Sequence, residues 1–414
     1  MFRFVYWRDK QRGMESMWKE IEAAPADAIL GLTEAFKKDT NPQKVNLGVG
    51  VYKDDQGTTP ILSCIKKAEH RLVDEQSTKG YLPIPGDAAY GAGVQQLLFG
   101  EQSEVIQSKR AATIHSPGGT GGLRVGADLI KQFKPEAKIW VSTPTWANHK
   151  GIFTAAGFAI EDYPYYDKAT QGVDFDAMLE MLKNVPAGDV VLLHVCCHNP
   201  TGVDLDAAQW DRVVEVACAQ GWLPFLDFAY QGFGDSMEAD RGAVEKFAAA
   251  GVDFLVASSF SKNFALYNER TGALTIVSPS AEESAVAMSH VKKIIRVNYS
   301  NPPAHGGLAA RTVLTDEGLY AEWIEEVAAM RERIKAMRMA FVNGLKQRGV
   351  TQDFSFIVDQ RGMFSFSGLS DEVVAWLQAE RSIYIVKGGR INVAGLTSGN
   401  IDYVCDAIAE ALRA

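Results

Sequence analysis

Lys262 stands in Ser258-Ser259-Phe260-Ser261-Lys262-Asn263, directly after an apolar run at 253–259 rather than on a solvated helix face. A lysine so placed can lose its proton by desolvation or beside another cation, and the free amine is a nucleophile toward an aldehyde. Alone, it also admits the ordinary reading of a solubilising charge. Asp227, closing the run Leu223-Pro224-Phe225-Leu226-Asp227-Phe228, alters that balance. A carboxylate at the end of an apolar strand is costly unless paired. A protonated pyridine nitrogen is one such partner, and the pair would keep an aromatic ring an electron sink; capping of the next turn is the plainer use.

The glycine turn Gly118-Gly119-Thr120-Gly121-Gly122 lies between a strand pattern and a helix pattern. There, backbone N–H groups and a helix N-terminus can cradle a phosphate. The turn does not read G-x-G-x-x-G, so a dinucleotide site is not supported, and a simple tight turn also explains such a cluster. Ser259, Ser261 and Arg270 would add the hydroxyls and guanidinium that fix a phosphate dianion; a surface salt bridge is the plain alternative for Arg270. Two competing patterns are weaker. His194, Cys196 and His198 would share one face of a strand, but their spacing matches no usual zinc pattern, so no metal is expected. Ser259-Phe260-Ser261-Lys262 fits the S-x-x-K motif of acyl-serine enzymes, yet neither S-D-N nor K-T-G occurs in the chain.

These residues need elements that bring them together. From about 110 to 280, β-rich runs at 112–116, 138–142, 190–197, 223–228, 253–259 and 273–278 alternate with helical periods at 121–133, 206–220 and 240–249. That alternation predicts an α/β fold with a mostly parallel sheet covered on both faces. Ligands of such sheets bind at the carboxyl ends of strands. Trp146 follows the second run, Asn199 the third, Asp227 and Tyr230 the fourth and Lys262 the fifth, so they should converge with the glycine turn on one crevice. Trp323, Val327, Met330, Ile334, Met337, Phe341 and Leu345 recur every three or four residues, marking the apolar face of a long helix. It would lead into a smaller C-terminal unit with β-rich runs at 354–358, 362–369 and 382–386.

With 414 residues the chain exceeds the roughly 250–300 at which single cores stop growing, so two packed domains are expected. A formal net charge of −9 opposes a nucleic-acid footprint while leaving room for a local cationic pocket for small anions. Five cysteines, an odd and scattered set with Cys196 and Cys197 adjacent, form no disulfide framework and fit a reducing cytoplasm. Arg3, Arg8, Asp9, Lys10 and Arg12 break the N-terminal apolar run, and no stretch approaches the roughly 18 apolar residues of a membrane span, so neither export nor membrane insertion is expected.

Lys262, Asp227, Asn199-Pro200-Thr201-Gly202 and Arg390 together resemble the class I pyridoxal-phosphate-dependent aminotransferases of fold type I, in their bacterial aspartate/aromatic branch. The resemblance runs from about residue 17 to the C-terminus. It is carried by NLGVGVYKD, SPGGTGGLR, CCHNPTG, DFAYQGF, SSFSKNF, YNERTG, NYSNPPAHG, RGMFSFSGL and GGRINVAG in the family's order. It implies an extension over 1–16, an N-terminal arm and part of a small domain over 17–59, a large cofactor-binding domain over 60–328, and the rest of the small α/β domain over 329–414. It further implies that Lys262 holds pyridoxal phosphate as a Schiff base and shuttles the proton. Asp227, backed by His149, would bind the ring nitrogen, Asn199 and Tyr230 the ring oxygen, and Trp146 would stack on the ring. Gly119, Thr120, Ser259, Ser261 and Arg270 would surround the phosphate, with Tyr81 from a second subunit. Arg390 would grip the substrate α-carboxylate beside Gly50, and Arg296 of the second subunit a side-chain carboxylate, which makes the enzyme a homodimer acting on amino acids and 2-oxo acids.

Both aspartate-type and aromatic-type members carry that distal arginine. Val51, Lys53, Thr59, Thr120 and Asn301 match the aspartate type, whereas Gly80-Tyr81-Leu82-Pro83 departs toward the aromatic type. The expected reaction is transamination between aspartate and 2-oxoglutarate, with tyrosine or phenylalanine as the alternative donors. Met14 and Met17 lie where family members tend to start, so Met1, Met14 and Met17 all stand as candidate starts, with translation from Met17 one hypothesis that N-terminal sequencing would test.

Overall fold

The computed structural model describes residues 17–22 and 28–413; the extension expected over 1–16 lies outside them. Seven strands form the main sheet: β1 (Ala111–Pro117), β2 (Ile139–Thr143), β3 (Ile160–Pro164), β4 (Val190–His194), β5 (Leu223–Phe228), β6 (Phe254–Ser259) and β7 (Thr271–Val277). Their order is β1-β7-β6-β5-β4-β2-β3, and β7 alone runs against its neighbours. The near-continuous apolar runs follow from burial on both faces. Along β4, Val190 and Leu192 join the buried cluster on one face, with Val125, Phe225 and Leu255, while Val191 and Leu193 join that on the other, with Leu226 and Val256. Each fully buried Val, Leu or Phe contributes about 1.5–3 kcal/mol, so burial on both faces is what holds the sheet together.

Four helices carry or brace residues of the crevice and its surroundings: α1 (Gly118–Phe133), α2 (Ala147–Ala155), α3 (Ala281–Asn298) and α4 (Glu317–Gln347). The chain leaves β1 through α1, which packs on β6 and β7, and reaches β2 beyond four intervening strands. That crossing opens a crevice at the carboxyl ends of the strands. Because β7 is antiparallel, its first residue Thr271 pairs with Pro117 at the end of β1, so Arg270 arrives at the same edge as Lys262. The helix expected at 206–220 is found at Ala207–Gln220, started by an Asp206/Gln209 capping box and stopped by left-handed Gly221.

The 31-residue α4 is capped by Asp316, which accepts from the Leu319 N–H at 2.8 Å. Its buried face differs in one place from the expectation: Met337 is only partly buried, and Arg338 occupies the face between Ile334 and Phe341. Beyond it, Phe364–Phe366 pairs antiparallel with Arg390–Asn392, and Val45–Asn46 pairs parallel with Ile383–Tyr384, so the N-terminal segment joins the C-terminal elements. One apolar cluster extends from the main sheet through α4 to Ile383, Ile391 and Val404. The β-rich run at 354–358 instead ends in a helical turn, Phe356–Asp359. Phe354 and Ile357, three apart and both buried, suit a turn of helix better than alternation. The strand β3 was not expected, because Ile160-Glu161-Asp162-Tyr163-Pro164 is an edge strand with a polar reading. Among the described residues no helix is long and apolar enough to cross a membrane.

Candidate active site

The crevice at the carboxyl ends holds a cavity of about 280 Å³. Gly50, Gly119, Thr120, Trp146, Asn199, Asp227, Tyr230, Ser259, Ser261, Lys262, Arg270 and Arg390 all line it, although they come from segments spread over the whole chain. His149 lies beneath, bonded to Asp227. Two expected residues stand apart: Tyr81 is 96% exposed, and Arg296, exposed near the end of α3, donates to Ser300 Oγ at 2.6 Å.

Asp227 is 6% exposed at the end of β5, and its Oδ2 lies 2.9 Å from His149 Nε2, while His149 Nδ1 lies 2.8 Å from Thr145 Oγ1. Burial pushes this carboxyl upward, but the His149 hydrogen bond and charge, with His194 and Lys262, outweigh it and hold Asp227 below the usual carboxylate range. The cavity therefore contains a fixed negative charge aimed from its floor.

Lys262 is partly exposed, into the cavity it lines, with Nζ 4.5 Å from the centre of the Tyr230 ring. Burial is the largest influence on its amine; Asp227 opposes it, Arg270 reinforces it, and the result is a fall to about 8. An appreciable fraction is thus neutral near physiological pH, as a nucleophilic or proton-accepting amine requires.

At the cavity's other end, α1 begins at Gly118 with Pro117 as its cap, and no side chain caps its first amides. Those open N–H groups and the helix dipole favour an anion. Gly118 has φ +71°, and a Cβ there would collide with the Arg270 guanidinium, so a side chain would break the cup. Arg270 itself has φ +54°, a conformation that costs a non-glycine residue about 1–3 kcal/mol. Its Nη1 donates to Tyr267 O at 3.0 Å, which turns the guanidinium toward Gly118. Ser259 and Ser261, both buried, complete the rim.

Arg390 is 5% exposed. Its Nη1 donates to Asn199 Oδ1 at 3.3 Å and its Nη2 to Gly48 O at 2.6 Å, while Nε is buried without a partner. The guanidinium lies 4.3 Å from the centre of the Phe364 ring. Burial lowers its pKa, with Tyr230 opposing. An incompletely satisfied guanidinium fork in a cavity is a receptor for a carboxylate.

Pyridoxal phosphate fits this donor set: an ionised buried carboxylate for a ring cation, an amine of lowered pKa for an aldehyde, and a cup at Gly118 for a phosphate. Sequence reasoning missed His194, Tyr267 and Phe364, which also line the cavity. Tyr267 accepts the Tyr52 N–H at 3.0 Å and Phe364 is buried; both lie in quoted family motifs, YNERTG and RGMFSFSGL, but their residue types alone do not separate them from core aromatics. The shared strand face imagined for His194, Cys196 and His198 does not form, since β4 ends at His194 and Cys197 turns left-handed with φ +53°. His149, His194 and Asp227 do bring ligand atoms within 4.8 Å of one another. Both His149 ring nitrogens are already engaged, by Thr145 and Asp227, which leaves hydrogen bonding as the use the geometry shows.

Comparison with known proteins agrees with this chemistry. Residues 42–408 match the family model described as aminotransferase class I and II. An aspartate aminotransferase of Haemophilus influenzae is 53% identical over 396 residues, covering 96% of this chain and all of the relative. An aromatic-amino-acid aminotransferase of Escherichia coli is 45% identical, covering 95% of this chain and 99% of the relative. The crystal structure of an aromatic-amino-acid aminotransferase from Burkholderia pseudomallei, covalently bound to pyridoxal phosphate, superposes with a TM-score of 0.94 at 52% identity, covering 96% and 100% of the two chains.

Proposed function

The chain belongs to the class I and II aminotransferases and is a pyridoxal-phosphate-dependent transferase of amino groups; from that premise we propose that it exchanges the amino group of L-aspartate with 2-oxoglutarate, giving oxaloacetate and L-glutamate. The observation that carries the reading is the meeting of Lys262, the Asp227–His149 pair and the Arg390 fork in one cavity. Bound there, pyridoxal phosphate supplies an aldehyde for the substrate nitrogen and a protonated ring that takes up the electron pair left at Cα.

The chain's own residues do the rest. Lys262 Nζ, partly neutral near pH 7, accepts the proton leaving substrate Cα. Asp227 holds a negative charge opposite the ring nitrogen, and His149 keeps that carboxylate ionised and oriented. Asn199 and Tyr230 hold the ring oxygen, Trp146 covers the ring, and Gly119, Thr120, Ser259, Ser261 and Arg270 hold the phosphate. Arg390, beside Gly50, fixes the substrate α-carboxylate and so the direction of the Cα–H bond. Amino donor and oxo acceptor use the same cavity in turn, which requires ping-pong kinetics.

Tyr81 and Arg296 are assigned to the active site of a second copy, Tyr81 at the phosphate and Arg296 at the side-chain carboxylate; their exposure on this chain supports a homodimer with shared sites. Residues 60–328 form the large domain in this reading, 17–59 an N-terminal arm and part of the small domain, and 329–414 the rest of the small one. Five free cysteines support a cytoplasmic setting. Val51, Lys53, Thr59, Thr120 and Asn301 support aspartate as donor; Gly80-Tyr81-Leu82-Pro83 favours the second reading, an aromatic aminotransferase. The test is kcat/KM for aspartate and phenylalanine with 2-oxoglutarate as acceptor. Aspartate should exceed phenylalanine, and Arg296→Leu should lower the aspartate value by roughly a hundredfold while sparing phenylalanine. A higher value for phenylalanine makes the aromatic reading the correct one.

A further inference from the structure

Arg338 lies near the middle of α4, on its buried face, and is 1% exposed. Among the described residues it forms no ion pair. Instead, Nη1 donates to Ile357 O at 3.1 Å and to Ser365 Oγ, and Nη2 donates to Gly362 O at 2.8 Å and Phe364 O at 2.7 Å. A buried guanidinium without a counter-ion is expensive, and burial lowers its pKa to about 10, with Cys197 and Asp204 opposing. Such a group persists where its hydrogen bonds hold a backbone shape that apolar packing cannot specify, because carbonyl acceptors demand donors in fixed directions.

The segment it grips leads straight to the cavity. The Phe364 ring lies under the Arg390 guanidinium, and its Cζ would stand 2.7 Å from a Cβ at Gly50. The same residues 364–366 pair with Arg390–Asn392, Phe366 opposite Arg390. On its other side, the segment receives the turn that carries Asn199. Arg361 N–H donates to Gly202 O at 2.6 Å, and Gly202, at φ +72°, passes so close that a Cβ would collide with Phe364 O. Both neighbours of a substrate carboxylate at Arg390, the Phe364 ring below and the Asn199 amide beside it, are thus referenced to one arginine in α4.

We infer that Arg338 is a positioning residue for the α-carboxylate clamp: by fixing the carbonyls of 357–364 it sets where Phe364 and Asn199 hold the Arg390 fork. This rests on the reading that Arg390 binds the α-carboxylate. Lysine cannot replace it, since one ammonium cannot reach four acceptors that two guanidinium nitrogens share.

The test is Arg338→Lys in the cofactor-loaded enzyme, beside Arg390→Lys and the milder Ser365→Ala, which removes one acceptor outside the cavity. In Arg338→Lys, KM for amino acid and oxo acid should rise about tenfold and kcat should fall about threefold, because the fork also aims the Cα–H bond, with cofactor Kd within about twofold of wild type. The aspartate-to-phenylalanine ratio of KM should not change, because both donors present the same α-carboxylate. Ser365→Ala should show the same pattern at about two- to threefold, which keeps the test valid if Arg338→Lys does not fold. Unchanged KM in folded Arg338→Lys, or KM and cofactor Kd worsening together in Ser365→Ala, would overturn the inference. If Arg390→Lys leaves KM unchanged, the clamp reading itself fails and the inference falls with it; a KM defect in Arg390→Lys alone overturns only the role of Arg338.

Discussion

Lys262 concentrates the chemistry in one nitrogen, and its surroundings set when that nitrogen can act. Free lysine is almost wholly ammonium at pH 7, whereas enclosure and Arg270 bring this amine down to about 8 and Asp227 limits the fall. The amine should therefore be protonated below that value and reactive above it. Capture of pyridoxal phosphate by the cofactor-free protein, followed by absorbance, should quicken with a midpoint near pH 8 and level off beyond. Asp227→Asn should move the midpoint lower, since it removes the charge that favours the ammonium; an unmoved midpoint would show that Asp227 does not act on Lys262. This much was legible in the chain, because a lysine and an aspartate ending apolar strands are out of place unless they have partners. Arg338 was not legible. Its neighbour Met337 fits the same helical period, and periodicity favours the apolar residue where burial favours the one with acceptors to meet.

The parallel strands place the side chains at one edge, antiparallel β7 returns Arg270 to it, and α1 presents its unfilled N-terminus to the same space. Gly118→Ala tests the last two contributions together. The added methyl would meet the Arg270 guanidinium and force an alanine into φ +71°, so cofactor affinity should fall at least about tenfold, measured by equilibrium dialysis. Affinity within twofold of wild type would show that the cup does not hold the phosphate. The strand-to-helix alternation was readable because buried parallel strands are apolar on both faces. β3 and the turn at 356–359 were not, since an edge strand tolerates Glu161 and Asp162, and a run as short and apolar as Phe354-Ser355-Phe356-Ile357-Val358 shows its helical spacing only once the burial of Phe354 and Ile357 is known.

A single chain brings twelve of the expected residues to the cavity, yet Tyr81 and Arg296 stand apart from it, which makes the proposed dimer testable by complementation. Lys262→Ala lacks the amine but keeps Arg296; Arg296→Asp lacks the distal arginine but keeps Lys262. With shared sites, each hybrid has one intact centre, so random re-pairing should restore about a quarter of the wild-type aspartate activity from two inactive parents. No recovery, with hybrids demonstrated by mass, would place Arg296 outside the partner's site. Whether Lys262 carries the cofactor in an aspartate-converting enzyme is decided by the near-visible absorbance of the protein with pyridoxal phosphate, before and after aspartate and then phenylalanine, beside Lys262→Ala. The wild type should show a protein-bound cofactor band, converted by aspartate at far lower concentration than by phenylalanine and absent in that form from Lys262→Ala. A wild type without the band, or a Lys262→Ala protein that forms the same one, would contradict that role for Lys262.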